Sequence, residues 1–479
     1  MRIQTRCGSC LPVRLLVVSL CVAWVISTSV AADEPLEIGT SPQLFADDFL
    51  IESSRHLRRV AHQAVKANDG EPIFTSGRLY GTVLYDDGKF KMWWRHQNQS
   101  GYSYAESADG VSFETKAELS GINFAGDYTL AVEIDENAPD DSAKFIAGYD
   151  APGMAAGIAK STDGINWTPL NDGKPVTHRA ADTYNQVLWD KAAGNYKLFT
   201  RTDFGTGGGA GEVRGHRVMT NPNIHEDPTN WELVKEWIFH IHGESEKQRR
   251  QIYALTDWIY HGQHFSLMSV YEHIDDFSEG PQDKNKRHDK DVMNIYLGRS
   301  RDGASWDLSS VYAEKPLIER GGEGAFDNGI AIAASSIVTH DNKHWIYYSG
   351  WNERHGNADE PRERDAAIGL ATMRLEGFYS LQAQQRKGTM TTRAFVLGGD
   401  EIQINVNAVA GEVTAEILDV RGKTLPEFSG ENAASLIKVD DVRAALKWPQ
   451  TLTRLNGSVI KLKLTMKNAH VYAMKVHKS

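Results

Sequence analysis

The chain has 479 residues with a formal net charge of −11, and 41% of them are hydrophobic. A mildly acidic sequence without a basic stripe excludes binding to nucleic acid through counterion release. Many glycines, 9% aromatic residues and the lack of any low-complexity tract describe an ordered, turn-rich globular protein.

Arg2, Arg6 and Arg14 precede an apolar run from Leu15 to Val30, and small residues at Ser29, Ala31 and Ala32 come just before Asp33 and Glu34. This reads as a secretory signal peptide over 1–31, cleaved near Ala31 or Ala32, with a secreted or periplasmic product. The three cysteines, Cys7, Cys10 and Cys21, all fall in that leader. The mature chain is therefore expected to have neither disulfides nor a cysteine nucleophile. No later apolar run is long enough for a membrane span.

After a segment at 33–72 comes a layout that repeats. Hairpins of β-branched and aromatic residues around Asp-Gly, Asn or His-Gly turns read at 81–95, 184–201, 253–271 and 330–351, with a looser copy between 128 and 150. A third strand follows each hairpin, and then a turn: S-A-D-G-V-S-F at 107–113, S-T-D-G-I-N-W at 161–167, S-R-D-G-A-S-W at 300–306. In the third unit Asn230-Trp231 takes that place, and in the fifth R-L-E-G-F-Y-S at 374–380 is a degenerate version. Four strands per unit, five times, predict an all-β, five-bladed β-propeller over 73–383. Asp109, Asp163 and Asp302 are expected to be architectural: Asp bonds its own backbone, Gly supplies a positive φ, and the aromatic packs between blades.

Alternating strands beyond a linker at 384–392 predict a C-terminal β-sandwich over 393–479 that braces the propeller. The segment from Leu44 to His62 is expected to close the propeller or support the sandwich. The sandwich has no His, Asp or Glu cluster that reads as a site.

In a propeller the innermost strands converge on the axis, so side chains at their starts meet despite large sequence separations. Those positions supply four carboxylates, Asp127, Asp182, Glu323 and Asp327, as candidate catalytic groups. Arg78, Asn185, Arg250, Tyr253, Trp351 and His355 are the candidate substrate contacts. Glycoside hydrolysis needs such a set, because one carboxyl protonates the leaving oxygen while another attacks or activates water. Glu323 is the expected proton donor, with glycines around it and Asp327 four residues on. No pair of histidines has metal-ligand spacing, so no metal or other cofactor is expected, although a Ca²⁺ on the axis stays open. The stretch G-T-G-G-G-A-G-E at 205–212 lacks the Lys-Ser/Thr of a phosphate loop and reads as a loop.

The segments L-F-A-D-D-F-L-I-E, A-D-T-Y-N-Q-V-L-W-D, G-G-E-G-A-F-D-N-G and I-G-L-A-T-M-R-L-E-G-F-Y-S-L resemble the five-bladed propeller glycosidases, glycoside hydrolase families 32 and 43. The resemblance is strongest to a secreted bacterial branch with a C-terminal sandwich, and it implies glycoside hydrolysis by Asp and Glu. The W-M-N-D, R-D-P and E-C motifs of family 32 are absent, and Arg78-Leu79-Tyr80-Gly81 holds no carboxylate where the first Asp is expected. The expected function is a secreted glycoside hydrolase acting on an oligo- or polysaccharide. The alternatives are a noncatalytic carbohydrate-binding propeller, and a lyase or esterase of sugars using Tyr253.

Overall fold

The computed structural model describes residues 34–96, 101–123, 129–153, 155–177, 183–204, 213–238, 250–272, 292–354 and 365–478. Residues 1–33, which include the expected leader at 1–31, and the glycine-rich stretch at 205–212 lie outside the described residues.

The fold is all-β, a propeller followed by a sandwich. Among the described residues, antiparallel units succeed one another along the chain. The first pairs Gly77–Arg78 and Val83–Asp86 with Lys89–His96, then Ser103–Ser107 and Glu114–Glu118. The second runs Leu130–Ile134, Phe145–Ala151, Ala155–Ser161, Thr168–Pro169, and the third Gln186–Asp190, Asn195–Phe204, Val213–Asn221, Glu232–Ile238. The fourth is built on Gln251–Tyr260, Gln263–Glu272 and Val292–Ser300. The fifth sets Ile330–Ala333 and Val338–His340 beside Lys343–Trp351 and Ala366–Arg374. Its outermost strand is Val65–Lys66, from the N-terminal segment. Strands such as Gln263–Glu272 are buried on both faces, because each unit is sandwiched between its neighbours.

Hydrogen bonds carry the ring around its axis. Leu130 N donates to Tyr80 O at 2.9 Å and Thr129 Oγ1 to Thr183 O at 2.8 Å, joining units one, two and three. Asp257 N donates to Gln186 Oε1 at 2.6 Å and Met293 N to Gly329 O at 3.2 Å, carrying the ring through four to five. Ser335 N closes it on Gly81 O at 3.1 Å.

The repeated turn has one job in three places. In each copy the Asp carboxylate accepts from the two backbone N–H groups that follow Gly, and the Ser hydroxyl accepts from the Gly N–H. These bonds hold the Asp109 and Asp163 carboxyls below their ordinary range. A turn carbonyl then takes a donor from the second strand of the preceding unit. Gly110 O accepts from Tyr347 Oη at 2.8 Å, Gly164 O from Trp93 Nε1 at 2.6 Å, and Asp302 O from Lys197 Nζ. Gly164 has φ +75° and a Cβ there would lie 2.6 Å from Trp93 Cζ2, so both backbone and space demand glycine. The turn is an inter-blade staple. The degenerate fifth copy is recruited elsewhere: the fully buried Glu376 side chain accepts from Arg443 Nη1 at 2.7 Å in the sandwich, while Phe378 stacks on Phe265 of unit four.

The sandwich begins earlier than the sequence suggests. Tyr379–Ala383, expected in the propeller, pairs with Ala469–His477, and Gly388–Thr392, expected in a linker, pairs with Val459–Lys467. The N-terminal segment enters both sheets, with Ile51–Arg55 beside Gly388–Thr392 and Arg58–Ala61 beside Tyr379–Ala383. Alternation such as E-I-Q-I-N-V-N buries one face of each strand in a shared core with Phe45, Met390, Phe395 and Leu464. A second core, holding Leu44, Phe265, Phe378, Tyr379 and Ala473, seats sandwich against propeller. Among the described residues no helix is long and apolar enough to cross a membrane.

Candidate active site

One apolar cluster draws on every unit: Tyr80, Ala131, Tyr184, Tyr253 with Tyr271, and Ile330 with Trp351. It forms a floor across the axis where the inner strands begin. Tyr184 is its keystone, with its hydroxyl 3.1 to 3.4 Å from the carbonyls of Leu79, Gly81 and Ala333. Burial raises the Tyr184 pKa well above its ordinary value, so the phenol stays a donor.

The sequence candidates meet this floor in different ways. Tyr253 is buried in it, its ring 5.2 Å from that of Tyr271 and beneath the Arg201 guanidinium at 5.6 Å. Trp351 is also buried, its ring 5.6 Å from Tyr80. Arg78 lies over Tyr80 at 5.7 Å and opposite Arg95 in the strand pair. Asn185 is fully buried and donates to Asp150 Oδ1 at 2.6 Å. Arg250 bonds Glu314 and Val311 O, and its Nε lies 3.7 Å from Glu272.

Glu323 is exposed on the loop leading into unit five. Asp327 is not: it is fully buried, paired with Lys66 Nζ at 2.6 Å, and accepts from Tyr348 Oη at 3.1 Å and Gly321 N at 3.0 Å. The expected like charge beside Glu323 is thus neutralised by a lysine from the N-terminal strand. Asp327 serves as the knot that ties the Glu323 loop to the fifth unit. Asp127, Asp182 and His355 lie outside the described residues.

Three acids at this end escaped the sequence reading. Asp150 is the last but one residue of the second strand of unit two, Glu272 the last of that of unit four, and Glu353 stands two residues past that of unit five. Hairpin register carries them there. Leu130 pairs with Tyr149, Gln251 with Tyr271 and Ile330 with Trp351, so the next residues overhang the start of the inner strand. The signal is an aromatic followed by an acid, as Y-D, Y-E and W-N-E. Glu272 accepts from Asn294 Nδ2 and Tyr296 Oη, which fixes its carboxylate. In units one and three the same position carries Arg95 and Arg201, both buried. The end of the axis therefore combines carboxylates, guanidinium groups and an aromatic floor. That set can bind a polyhydroxylated ligand and move protons on it. Among the described residues no group of three or more His, Cys, Asp or Glu is arranged to hold a metal ion.

Beyond the floor the axis is polar. Gln186 Nε2 donates to Glu133 Oε1 at 2.8 Å, Asp257 O at 2.8 Å and Ser335 O at 3.2 Å, joining four units through one amide. Below it, a cavity of about 340 Å³ opens at the far end of the axis, lined by Glu133, Trp189, Asp257 and Trp258 among others. Asp257 Oδ2 and His264 Nδ1 meet at 2.6 Å. Against the effect of burial, hydrogen bonds to Asp190 and Asp257 raise the His264 pKa to about 9, so the ring is a cation.

No protein-family profile matches the chain, and no curated protein sequence matches it. Solved structures do. The chain is similar to an exo-inulinase from Aspergillus awamori at 12% identity and TM-score 0.38, over 85% of this chain and 99% of that one. It is similar to the Bombyx mori GH32 beta-fructofuranosidase at 11% identity and TM-score 0.40, over 88% and 94%. It is also similar to an N-acetylgalactosamine deacetylase from F. plautii at 13% identity and TM-score 0.42, over 71% and 96%.

Proposed function

We propose that the chain is an exported glycoside hydrolase that cleaves an oligo- or polysaccharide with carboxyl groups at the propeller axis. The observation that carries this reading is the placement of Asp150, Glu272 and Glu353 at or just past the ends of three second strands, at the end where the aromatic floor of Tyr80, Tyr253 and Trp351 lies. Sugar rings present apolar faces for such rings and hydroxyls for Arg and Asn. Two carboxyls in unlike surroundings are what acid and nucleophile or base require. Glu323, exposed on a loop anchored by Asp327, is the proposed proton donor, and Glu353 is its rival.

The test is turnover of an oligosaccharide panel by the mature chain, with Glu323→Gln and Glu353→Gln beside it. Loss of the proton donor lowers kcat on poor leaving groups by a factor on the order of 10², and far less on activated aryl glycosides. Equal small losses in both variants move the acid role to another carboxyl. Binding without hydrolysis by clean protein sinks the enzymatic reading in favour of a carbohydrate-binding propeller. The commitment of Asp327 to Lys66 favours that second reading, as does the absence of the family 32 motifs.

A further inference from the structure

The sandwich has a concavity lined by amides rather than carboxylates. A cavity of about 520 Å³ opens where Tyr379–Ala383 leaves the sheet, and Gln382, Gln384, Gln385, Asn407, Asn468 and His470 line it. Its volume falls in the range of small-ligand sites. Five of these six side chains are amides, and none of the lining residues is Asp, Glu, Lys or Arg. Burial, with the nearby Arg58 charge, holds the His470 imidazole below its ordinary value, so the lining is uncharged at neutral pH.

The back wall is built in advance. Gln382 Oε1 accepts from Arg58 Nη2 at 2.7 Å, its Nε2 meets His470 Nε2 at 2.9 Å, and His470 Nδ1 meets Ser380 Oγ at 2.9 Å. In front of it stand amides that the fold does not use. The backbone of Asn468 is tied to Gln384 O at 2.9 Å, whereas the side-chain amides of Gln384, Gln385 and Asn468 make no hydrogen bond among the described residues.

We infer that this cavity is a binding site for a neutral carbohydrate, separate from the propeller axis. An amide offers one acceptor and two donors in a plane, which matches adjacent sugar hydroxyls. The one nearby charge, Arg58, is spent on Gln382 behind the wall, so the lining itself offers neutral hydrogen-bonding groups, and without a nucleophile or acid the site binds rather than reacts. The ligand class rests on the reading of the chain as carbohydrate-active; the site itself rests on the lining.

Affinity electrophoresis of the mature chain through native gels containing a neutral fructan, mannan or galactan, or an acidic pectate, tests it. The chain is expected to be retarded by at least one neutral gel. Gln384→Ala with Gln385→Ala, both exposed, should cut that retardation about threefold or more, with melting temperature and turnover of short soluble substrates unchanged. Equal retardation of variant and parent, retardation by pectate alone, or none at all overturns the inference. If the parent hydrolyses nothing yet the variant loses retardation, the site stands and the proposed enzymatic function falls.

Discussion

Glu133 offers a direct thermodynamic check on the axis. Its side chain is part-buried where it lines the axial cavity, and burial first, with the Asp257 charge adding, pushes its pKa up from 4.5 to about 8 against the Gln186 hydrogen bond. Below pH 4.5 the carboxyl is protonated whether the chain is folded or unfolded, so it costs nothing. Above that, the folded chain keeps a proton that the unfolded chain gives up. Stability then falls by about 1.4 kcal/mol per pH unit until the pH passes the folded value. The accumulated loss is about 3 kcal/mol at pH 7 and approaches about 5 kcal/mol above pH 8. Glu133→Gln is neutral throughout and keeps an oxygen to accept from Gln186 Nε2, now 2.8 Å away. The variant should match the parent at pH 4.5 and exceed it by up to about 3 kcal/mol at pH 7, a rise of a few degrees in melting temperature for a chain this long. Denaturant and thermal midpoints from pH 4.5 to 8.5 measure this. Parallel curves for the two proteins, or a variant weaker than the parent at pH 7, would refute the idea that Glu133 is buried without a compensating cation.

The staple turn predicts that Gly164→Ala costs about 2 to 4 kcal/mol, from the left-handed backbone and the Trp93 contact together. Gly88→Ala, with φ +76° and nothing within 4 Å, isolates the backbone share at about 1 kcal/mol, so similar denaturant midpoints for the two variants would discredit the staple. Arg443→Ala strands the buried Glu376 carboxylate at the sandwich seam and should destabilise by about 3 kcal/mol, most of it restored by adding Glu376→Gln. A double-mutant cycle by urea unfolding measures the restoration. Lys66→Met should likewise strand the buried Asp327 carboxylate, at a cost of about 3 kcal/mol. Urea unfolding of that variant beside the parent measures the cost.

The local parts of this protein are legible in the chain. Hairpin register follows from strand alternation around Asp-Gly and His-Gly turns. Three copies of S-x-D-G-x-x-W/F announce a repeated turn, because Asp, Gly and the aromatic each have a local reason to stand there. Tyr253 and Trp351 come together in the buried axial cluster, and both follow from where an inner strand starts or its hairpin partner ends. Asp150, Glu272 and Glu353 share that logic, yet they are found only once the register is known to the residue. A slip of one position would turn each to the other face.

Other assignments depend on partners hundreds of residues away. Asp327 looks like a free axial acid until Lys66, brought in by the N-terminal strand, occupies it. The boundary near Ala383 looks like a propeller end followed by a linker. Tyr379–Ala383 and Gly388–Thr392 become sandwich strands because the chain's last two strands pair with them. The sequence by itself determined the all-β class, the repeating hairpins and the stapling turns, because β-propensity, turn chemistry and alternation act within a few residues. Only the tertiary structure decided which carboxylates are paired, which amides are left open and where one domain hands over to the next. Charge neutralisation and strand pairing are settled by contacts across space, and spacing along a chain does not encode them.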